Sequence, residues 1–136
     1  MSRVFLIACA AKKVPNRVRA RDLYCRTLFR LNLAYAEEQS PDAIHILSAK
    51  YGLVDLDQPL EPYNVTLNEL PRNEVRAWAE NVSNALRARY DLTRDHFVFL
   101  AGANYRKYLV PSLTHYEVPL QGLRIGGQLQ WLKQHT

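Results

Sequence analysis

The chain has 136 residues, of which 48% are hydrophobic and 23% are charged, and its net charge is +5. This composition is typical of a globular protein and excludes an intrinsically disordered one. No apolar run approaches the roughly 20 residues that a membrane-spanning helix needs, so no membrane partner is expected. The length predicts one α/β domain over residues 1–136.

The first predicted element is the strand Val4–Ala8, a continuous apolar run typical of a strand buried on both faces. Met1–Ala10 also resembles a signal peptide superficially, but its apolar stretch is short and runs into Lys12 and Lys13. A buried strand is the better interpretation, and we therefore expect a cytoplasmic protein.

The charge excess lies between Lys12 and Arg30. This segment holds seven basic residues and one acidic residue, a net charge of +6, whereas the rest of the chain sums to −1. Such a concentration is typical of a surface that binds phosphate groups or nucleic acid. The alternative is a solvated loop and helix face that happens to be basic.

Leu23–Gln39 is predicted to be a helix with Leu28, Leu31 and Tyr35 on its apolar face. A long loop is expected from residue 49 to about residue 70. The other elements are a strand at Ala43–Ser48, a helix from Pro71 to about Tyr90, a strand at His96–Ala101, a short helix after Gly102–Asn104, a strand at Tyr116–Val118 and a helix from about Gly127. Strand and helix alternate, which predicts a parallel sheet with helices on both faces, a three-layer α/β sandwich.

Ligands of such sheets bind at the carboxyl ends of the strands. The loops after Ala8, Leu47 and Ala101 leave from those ends, so we expect them to converge on one edge of the sheet. The working site is therefore expected in Cys9–Tyr24 and Ser48–Asn64.

The loop after the second predicted strand concentrates groups that suit a ligand. Ser48 supplies a hydroxyl, and Lys50 could hold a phosphate or a carboxylate. Tyr51 could stack on a base or fill the core. Gly52 permits a positive φ or a close approach of backbone to a ligand.

Two carboxylates are candidates for acid–base chemistry. Glu61 lies beside Pro62 and Tyr63 and could be a general acid or base. Its alternative roles are an exposed loop carboxylate or the partner of Lys50. Asp22 stands directly before the predicted helix, so it could cap that helix, or face the cleft as a second carboxylate.

Cysteines and histidines offer no metal site. Cys9 and Cys25 lack the spacing of a zinc site, and a lone pair of cysteines in a cytoplasmic chain is seldom a disulfide. Cys9, at the end of a buried strand, is more often an inert apolar group than a nucleophile. The four histidines show no ligand spacing and are expected to be structural. Nothing in the sequence indicates a cofactor.

Six groups of residues form a recognisable combination: Cys9 with Lys12 and Lys13, Arg21–Tyr24, Leu28 with Phe29, Leu47–Leu53, Glu61–Tyr63, and Trp78 with Ala79. Together they resemble a family of small, uncharacterised bacterial and phage proteins. The block Leu47–Leu53 followed by Pro62 and Tyr63 is also similar to the YaaA peroxide-stress proteins. More loosely, the loop Cys9–Lys13 resembles the uracil-DNA-glycosylase-like domain associated with archaeosine synthase. At the position of Asn64 the first family often has an aspartate.

The resemblance implies a uracil-DNA-glycosylase-like fold with a four-stranded parallel sheet, and an enzyme that acts on a nucleobase, such as an N-glycosidase. Asp22 or Glu61 would stabilise an oxocarbenium-like sugar or activate water. Asn104 and backbone amides of the Cys9 loop would bind the departing base, and Tyr63 or Tyr51 would lie against it. The expected substrate contacts are completed by Lys12, Lys13, Arg21 and Lys50 at phosphates, and by Tyr24, Ser48, Gly52 and Asn64 nearby.

Two other functions fit the same features. The segregated charge equally predicts a non-catalytic nucleic-acid-binding protein of the stress-response type, similar to YaaA. A small-molecule biosynthetic enzyme would use the same cations for a phosphorylated metabolite. Nucleic acid or a nucleotide is the expected partner in the first two cases, and the oligomeric state is not predicted.

Overall fold

The computed structural model covers residues 1–136, in which strands and helices alternate along the chain. Its elements are β1 (Arg3–Ala8), β2 (Val18–Arg19), α1 (Ala20–Leu23), α2 (Thr27–Glu38), β3 (Ala43–Ser48), β4 (Gly52–Asp55), β5 (Pro59–Leu60), a 3₁₀ turn (Leu67–Glu69), α3 (Arg72–Arg87), β6 (His96–Leu100), α4 (Ala103–Arg106), a 3₁₀ turn (Val110–Ser112), β7 (His115–Glu117) and α5 (Ile125–Gln134). The central sheet has the order β4-β3-β1-β6-β7.

β1 lies in the middle of this sheet. It pairs in parallel with β3 on one side and with β6 on the other, and β7 pairs in parallel with β6. Val4 and Leu6 face one layer of the core, and Phe5 and Ile7 face the other. The apolar run without alternation therefore correctly predicted a strand that is covered on both faces.

The main departure from expectation lies in residues 49–70, for which a long loop was predicted. Instead, β4 turns back and pairs antiparallel with β3, with Ser48 opposite Gly52. The sheet therefore has five strands, mostly parallel, rather than four. Gly52 has a φ of +75°, one of the two possibilities that its residue type left open, and this conformation suits a short hairpin loop. Four residues are too few for the pattern of a strand to be visible in the sequence.

Helices cover both faces of the sheet, as expected. Helices α2 and α5 pack on the face of Phe5, through Phe29 and Leu132. Helix α3 packs on the opposite face through Val82 and Leu86. Each layer buries a continuous apolar cluster, which is the main favourable contribution to folding.

The helix that was predicted over Leu23–Gln39 is two helices. The backbone at Tyr24 and Arg26 is extended, so α1 ends before these residues and α2 begins after them. The buried stripe of α2 is also shifted from the predicted face: Leu28, Leu31 and Tyr35 lie at its partly buried edges. The stripe itself consists of Phe29, Asn32, Leu33 and Ala36, with the i, i+3, i+4, i+7 spacing of an amphipathic helix.

A second, two-stranded sheet joins the segments that follow β1 and β3. In this sheet β2 pairs antiparallel with β5. Just beyond it, the Ala20 N–H donates to the Gln58 carbonyl at 2.8 Å, and the Arg21 N–H donates to the Leu56 carbonyl at 2.9 Å. The two loops that were expected to form the site are therefore attached to each other by backbone hydrogen bonds.

At the end of the chain, α5 begins at Ile125, two residues before the predicted start near Gly127. None of the helices has the length and apolar character that crossing a membrane requires.

Candidate functional site

A cavity of about 610 Å³ opens at the carboxyl ends of β1 and β6. From β1 the chain passes to β3 on one side, whereas β6 lies on the other side of β1, so the connections change direction between β1 and β6. Such switch points are where open α/β sheets bind ligands. The volume is within the range of small-molecule sites. The expected site edge therefore carries a real pocket, between the loops after β1 and β6.

The wall of this cavity is mostly apolar and contains few polar side chains. No aspartate or glutamate lines it. Arg106 is held at its edge because its Nη1 donates to the Ala101 carbonyl at 2.9 Å. The polar side chains of the lining are Arg26, Asn32, Arg106, Gln121 and Gln128.

Asn32 is the unusual residue of this wall. It occupies a position in the apolar stripe of α2 and is only 5% exposed. Its Oδ1 is buried and has no hydrogen-bond partner in the protein. A buried amide oxygen without a partner costs roughly 1–3 kcal/mol relative to a satisfied one. The sequence analysis missed Asn32, although an asparagine in the stripe between Phe29 and Leu33 was the visible signal.

A second polar cluster lies beside the end of β3 and is fully hydrogen-bonded. Ser48 Oγ donates to Tyr63 Oη at 2.8 Å and accepts from the Tyr51 N–H at 3.0 Å. Tyr63 Oη lies 2.7 Å from Tyr24 Oη, also a hydrogen bond. Trp78 Nε1 donates to the Ser48 carbonyl at 2.8 Å. We call Tyr24, Ser48 and Tyr63 the tyrosine cluster.

The electrostatics of the tyrosine cluster follow from its burial. Burial raises the pKa of Tyr24 to about 12, and it also raises the pKa of Tyr63. Lys13 Nζ lies 4.2 Å from the centre of the Tyr63 ring, a cation–π contact. Burial lowers the pKa of Lys13, against the opposing effect of Cys9 and Cys25. The hydroxyls of this cluster are thus held in the neutral form.

Cys9 lies between the two regions. It lines the large cavity and also a smaller one of about 130 Å³. Its Sγ lies 3.3 Å from Tyr105 Oη, and burial raises the pKa of Tyr105. Of the site residues that were predicted individually, Cys9 alone lines the large cavity, together with its loop neighbours Ala10 and Ala11.

Both predicted catalytic carboxylates lie at the surface, outside the cavity lining. Asp22 has a side chain that is 46% exposed and pairs with Arg19 at 3.1 Å. It belongs to α1 and does not cap α2, whose N-cap is Arg26, so the capping interpretation is wrong. Glu61 is 61% exposed and lies 3.8 Å from Arg17. Its ion-pair partner is therefore Arg17 rather than Lys50.

The other predicted contacts are spread around the carboxyl edge of the sheet. Lys50 Nζ lies 5.3 Å from the Tyr51 ring centre, Arg21 pairs with Glu37 at 2.9 Å, and Asn104 bonds Asn68. Lys12 and Asn64 are exposed. None of these side chains lines the large cavity.

Ion pairs also occupy much of the basic segment. Arg17, Arg19 and Arg21 each pair with a carboxylate, and Lys13 is half-buried against Tyr63. The remaining basic side chains of the segment have no ion pair: Lys12, Arg26 and Arg30.

No group of three or more His, Cys, Asp or Glu side chains is arranged to hold a metal ion. His45 is buried at β3, with its ring bonded to Tyr90 Oη at 2.5 Å and its Nδ1 2.9 Å from Asp55. It lies outside the cavity lining.

Fold and cavity together define an α/β protein with a ligand-sized pocket at a switch point of its sheet. The chain belongs to a family of unknown function, DUF6884, which matches residues 4–134. This agrees with the resemblance to an uncharacterised family. No curated protein and no solved structure matches the chain.

Proposed function

We propose that the protein acts on the base of a nucleoside, a nucleotide or a nucleic acid, and that the large cavity receives this base. The observation that carries the proposal is a ligand-sized, mostly apolar cavity whose lining also holds the side-chain amides of Asn32, Gln121 and Gln128. A planar base exchanges hydrogen bonds with amides of this kind, while its faces contact apolar side chains. Phe29 and Leu100 supply apolar surface in the same wall.

The reaction that we propose is N-glycosidic cleavage, as the resemblance to the uracil-DNA-glycosylase-like domain suggests. This reaction needs a carboxylate that stabilises an oxocarbenium-like sugar or activates water. Because no carboxylate lines the cavity, the sugar would have to extend towards Asp22 or Glu61 at the surface. Base binding is the part of the proposal that the cavity supports, and cleavage depends on these two side chains.

The second candidate is a non-catalytic nucleic-acid-binding protein of the stress-response type, similar to YaaA. The absence of a carboxylate from the cavity favours it. The basic segment, which indicated nucleic-acid binding, supports this candidate less strongly because Arg17, Arg19 and Arg21 are engaged in ion pairs. Binding without turnover is the result that this candidate predicts.

Mass spectrometry of released bases tests the proposal on a panel of nucleosides, nucleotides and modified DNA and RNA. We expect the wild type to release a base, and Asp22→Ala or Glu61→Gln to lower the rate by roughly 100-fold or more, the usual contribution of an acid–base group. Asn32→Leu should abolish release by removing the contact with the base. Arg30→Ala, an exposed change on the same helix outside the lining, is the matched control.

Release that both carboxylate variants retain would contradict the roles of Asp22 and Glu61. Binding of a base with no release from any substrate would replace cleavage by the second candidate. If no base-bearing compound binds, the proposed function is wrong.

A further inference from the structure

We propose that β7 is a dimerisation edge, which pairs antiparallel with β7 of a second copy of the chain. The two central sheets then join into one continuous sheet. β7 is an outer strand of the central sheet, and β6 is its only strand partner within the chain. This proposal does not depend on what the large cavity binds.

The outer side of β7 has the features of an open edge. All three of its residues are exposed, and the aromatic side chain of Tyr116 is 44% exposed. Backbone N–H and C=O groups that point away from β6 have no strand to bond, and such groups form a template for another strand. Lysine and proline commonly protect strand edges, and β7 contains neither.

The opposite edge of the sheet, β4, lacks these features. Helix α3 packs beside it, with Val82 in contact distance of Gly52. Its one charged residue, Asp55, is engaged by Arg89 at 2.8 Å. Because β4 has no cation, Asp55 would meet no opposite charge if β4 paired with itself. The two edges therefore differ, and only β7 suits a second copy.

The sequence of β7 is complementary to itself when it is reversed. In a two-fold symmetric, antiparallel pair centred on Tyr116, this residue faces its own copy, and His115 faces Glu117 on both sides of the axis. His115 and Glu117 lie on one face of the strand and Tyr116 on the other, because side chains alternate.

Each of these cross-strand pairs is favourable. An imidazole has an N–H that can donate to a carboxylate whether the ring is neutral or charged, and two tyrosine rings attract each other. Within the chain, Glu117 Oε2 lies 3.5 Å from His96 Nε2, and the Glu117 side chain is 55% exposed, so Oε1 is available to the second copy. The charge match of the strand with its own reverse identifies the partner as a second copy.

Sedimentation velocity of the full chain over a range of concentrations tests the proposal. We expect a reversible equilibrium between the 15.7 kDa chain and a dimer of twice this mass. Since residue 116 faces its own copy, a charge placed there repels itself across the axis. Tyr116→Lys and Tyr116→Glu should each raise the Kd of the dimer roughly tenfold or more, whereas an equimolar mixture of the two variants should recover the dimer.

A charge swap tests the register of the flanking pairs. His115→Glu alone places two carboxylates opposite each other and should weaken the dimer, and adding Glu117→Lys to it should restore the dimer. Tyr51→Lys, at another exposed tyrosine outside β7, is the control and should leave the Kd unchanged.

A chain that stays monomeric at every concentration would overturn the proposal, as would a dimer whose Kd the β7 variants leave unchanged. Weakening by Tyr116→Lys and Tyr116→Glu that mixing does not reverse would also overturn it, because residue 116 would then not face its own copy. Tyr116 contacts Phe99 edge-on and is otherwise open, so its variants are expected to fold, and thermal unfolding checks this. None of these outcomes bears on base binding, so the proposed function is tested separately.

Discussion

The tyrosine cluster and the large cavity lie at the same edge of the sheet but differ in how their polar atoms are satisfied. In the cluster, the hydroxyls of Tyr24, Tyr63 and Ser48 bond one another. In the wall of the cavity, the Asn32 oxygen is buried and has no partner. A satisfied buried network makes the fold rigid, whereas an unsatisfied group costs stability unless a ligand completes it.

This difference separates two kinds of residue that look alike in the sequence. Tyr24, Ser48 and Tyr63 belong to the motifs that suggested a substrate site, yet they already use their polar groups to join the loops after β1 and β3. Asn32 belongs to no motif, and it lines the cavity. Chemically interesting side chains can therefore be structural, whereas the buried oxygen without a partner stands in an apolar stripe.

The largest expected effect comes from the tyrosine cluster. Tyr24 is fully buried, so Tyr24→Ala should lower the free energy of unfolding by about 3–5 kcal/mol, the usual cost of removing a buried aromatic ring. Urea denaturation measures this change. The control is Tyr51→Ala, which should cost much less because Tyr51 is exposed and its side chain meets the cluster only through an edge-on contact with Tyr63. If Tyr24→Ala and Tyr51→Ala lowered the free energy of unfolding by similar amounts, the buried hydrogen-bond network would contribute no more to stability than an exposed ring.

An intermediate effect is expected at alkaline pH. Burial raises the pKa of Tyr24 from 10 to about 12. A raised folded-state pKa contributes stability that is fully present below pH 10 and is lost as the pH rises through 12. The contribution of Tyr24 to the free energy of unfolding should therefore fall between pH 10 and 12 by on the order of 2 kcal/mol, at 1.36 kcal/mol per pKa unit. Tyr63 and Tyr105, whose pKa burial also raises, add to the fall of the whole protein.

Tyr24→Phe is the variant that isolates this contribution, since it keeps the ring and removes the ionisable hydroxyl. Its fall in stability between pH 10 and 12 should be smaller than that of the wild type. The lowered pKa of Lys13 acts with the opposite sign, adding stability as the pH rises to 10.5, but both proteins carry Lys13, so its contribution cancels in the comparison. Identical curves would show that Tyr24 ionises at its ordinary pKa.

The smallest expected effect is a gain in the free energy of unfolding rather than a loss. Asn32→Leu removes a buried, unpartnered amide and can extend into the cavity, so it should raise the free energy of unfolding by about 1 kcal/mol. Urea denaturation without ligand measures it, and Asn32→Ala, which leaves new empty space, should be less stable than Asn32→Leu. A loss of stability in Asn32→Leu would mean that Asn32 has a structural role, and the contrast between the two regions would disappear.

The sequence by itself determined the layers of the fold and the edge at which the pocket lies. Apolar runs such as Val4–Ala8 are typical of strands covered on both faces, and alternation with helices favours a parallel arrangement of such strands. The sequence also showed that Gly52 could adopt the positive φ that it has, because glycine does so without a steric cost. Local patterns of this kind depend on neighbouring residues and so survive in the sequence.

Tertiary structure alone decided which polar groups are used and which are free. Glu61 meets Arg17, Arg21 meets Glu37, and Ser48 meets Tyr63 through contacts between residues distant along the chain. The antiparallel β4 likewise depends on pairing with β3, not on a pattern of its own. Whether a side chain has a partner is a property of three-dimensional packing, and for that reason the unsatisfied Asn32 could be recognised only once α2 lay against the sheet.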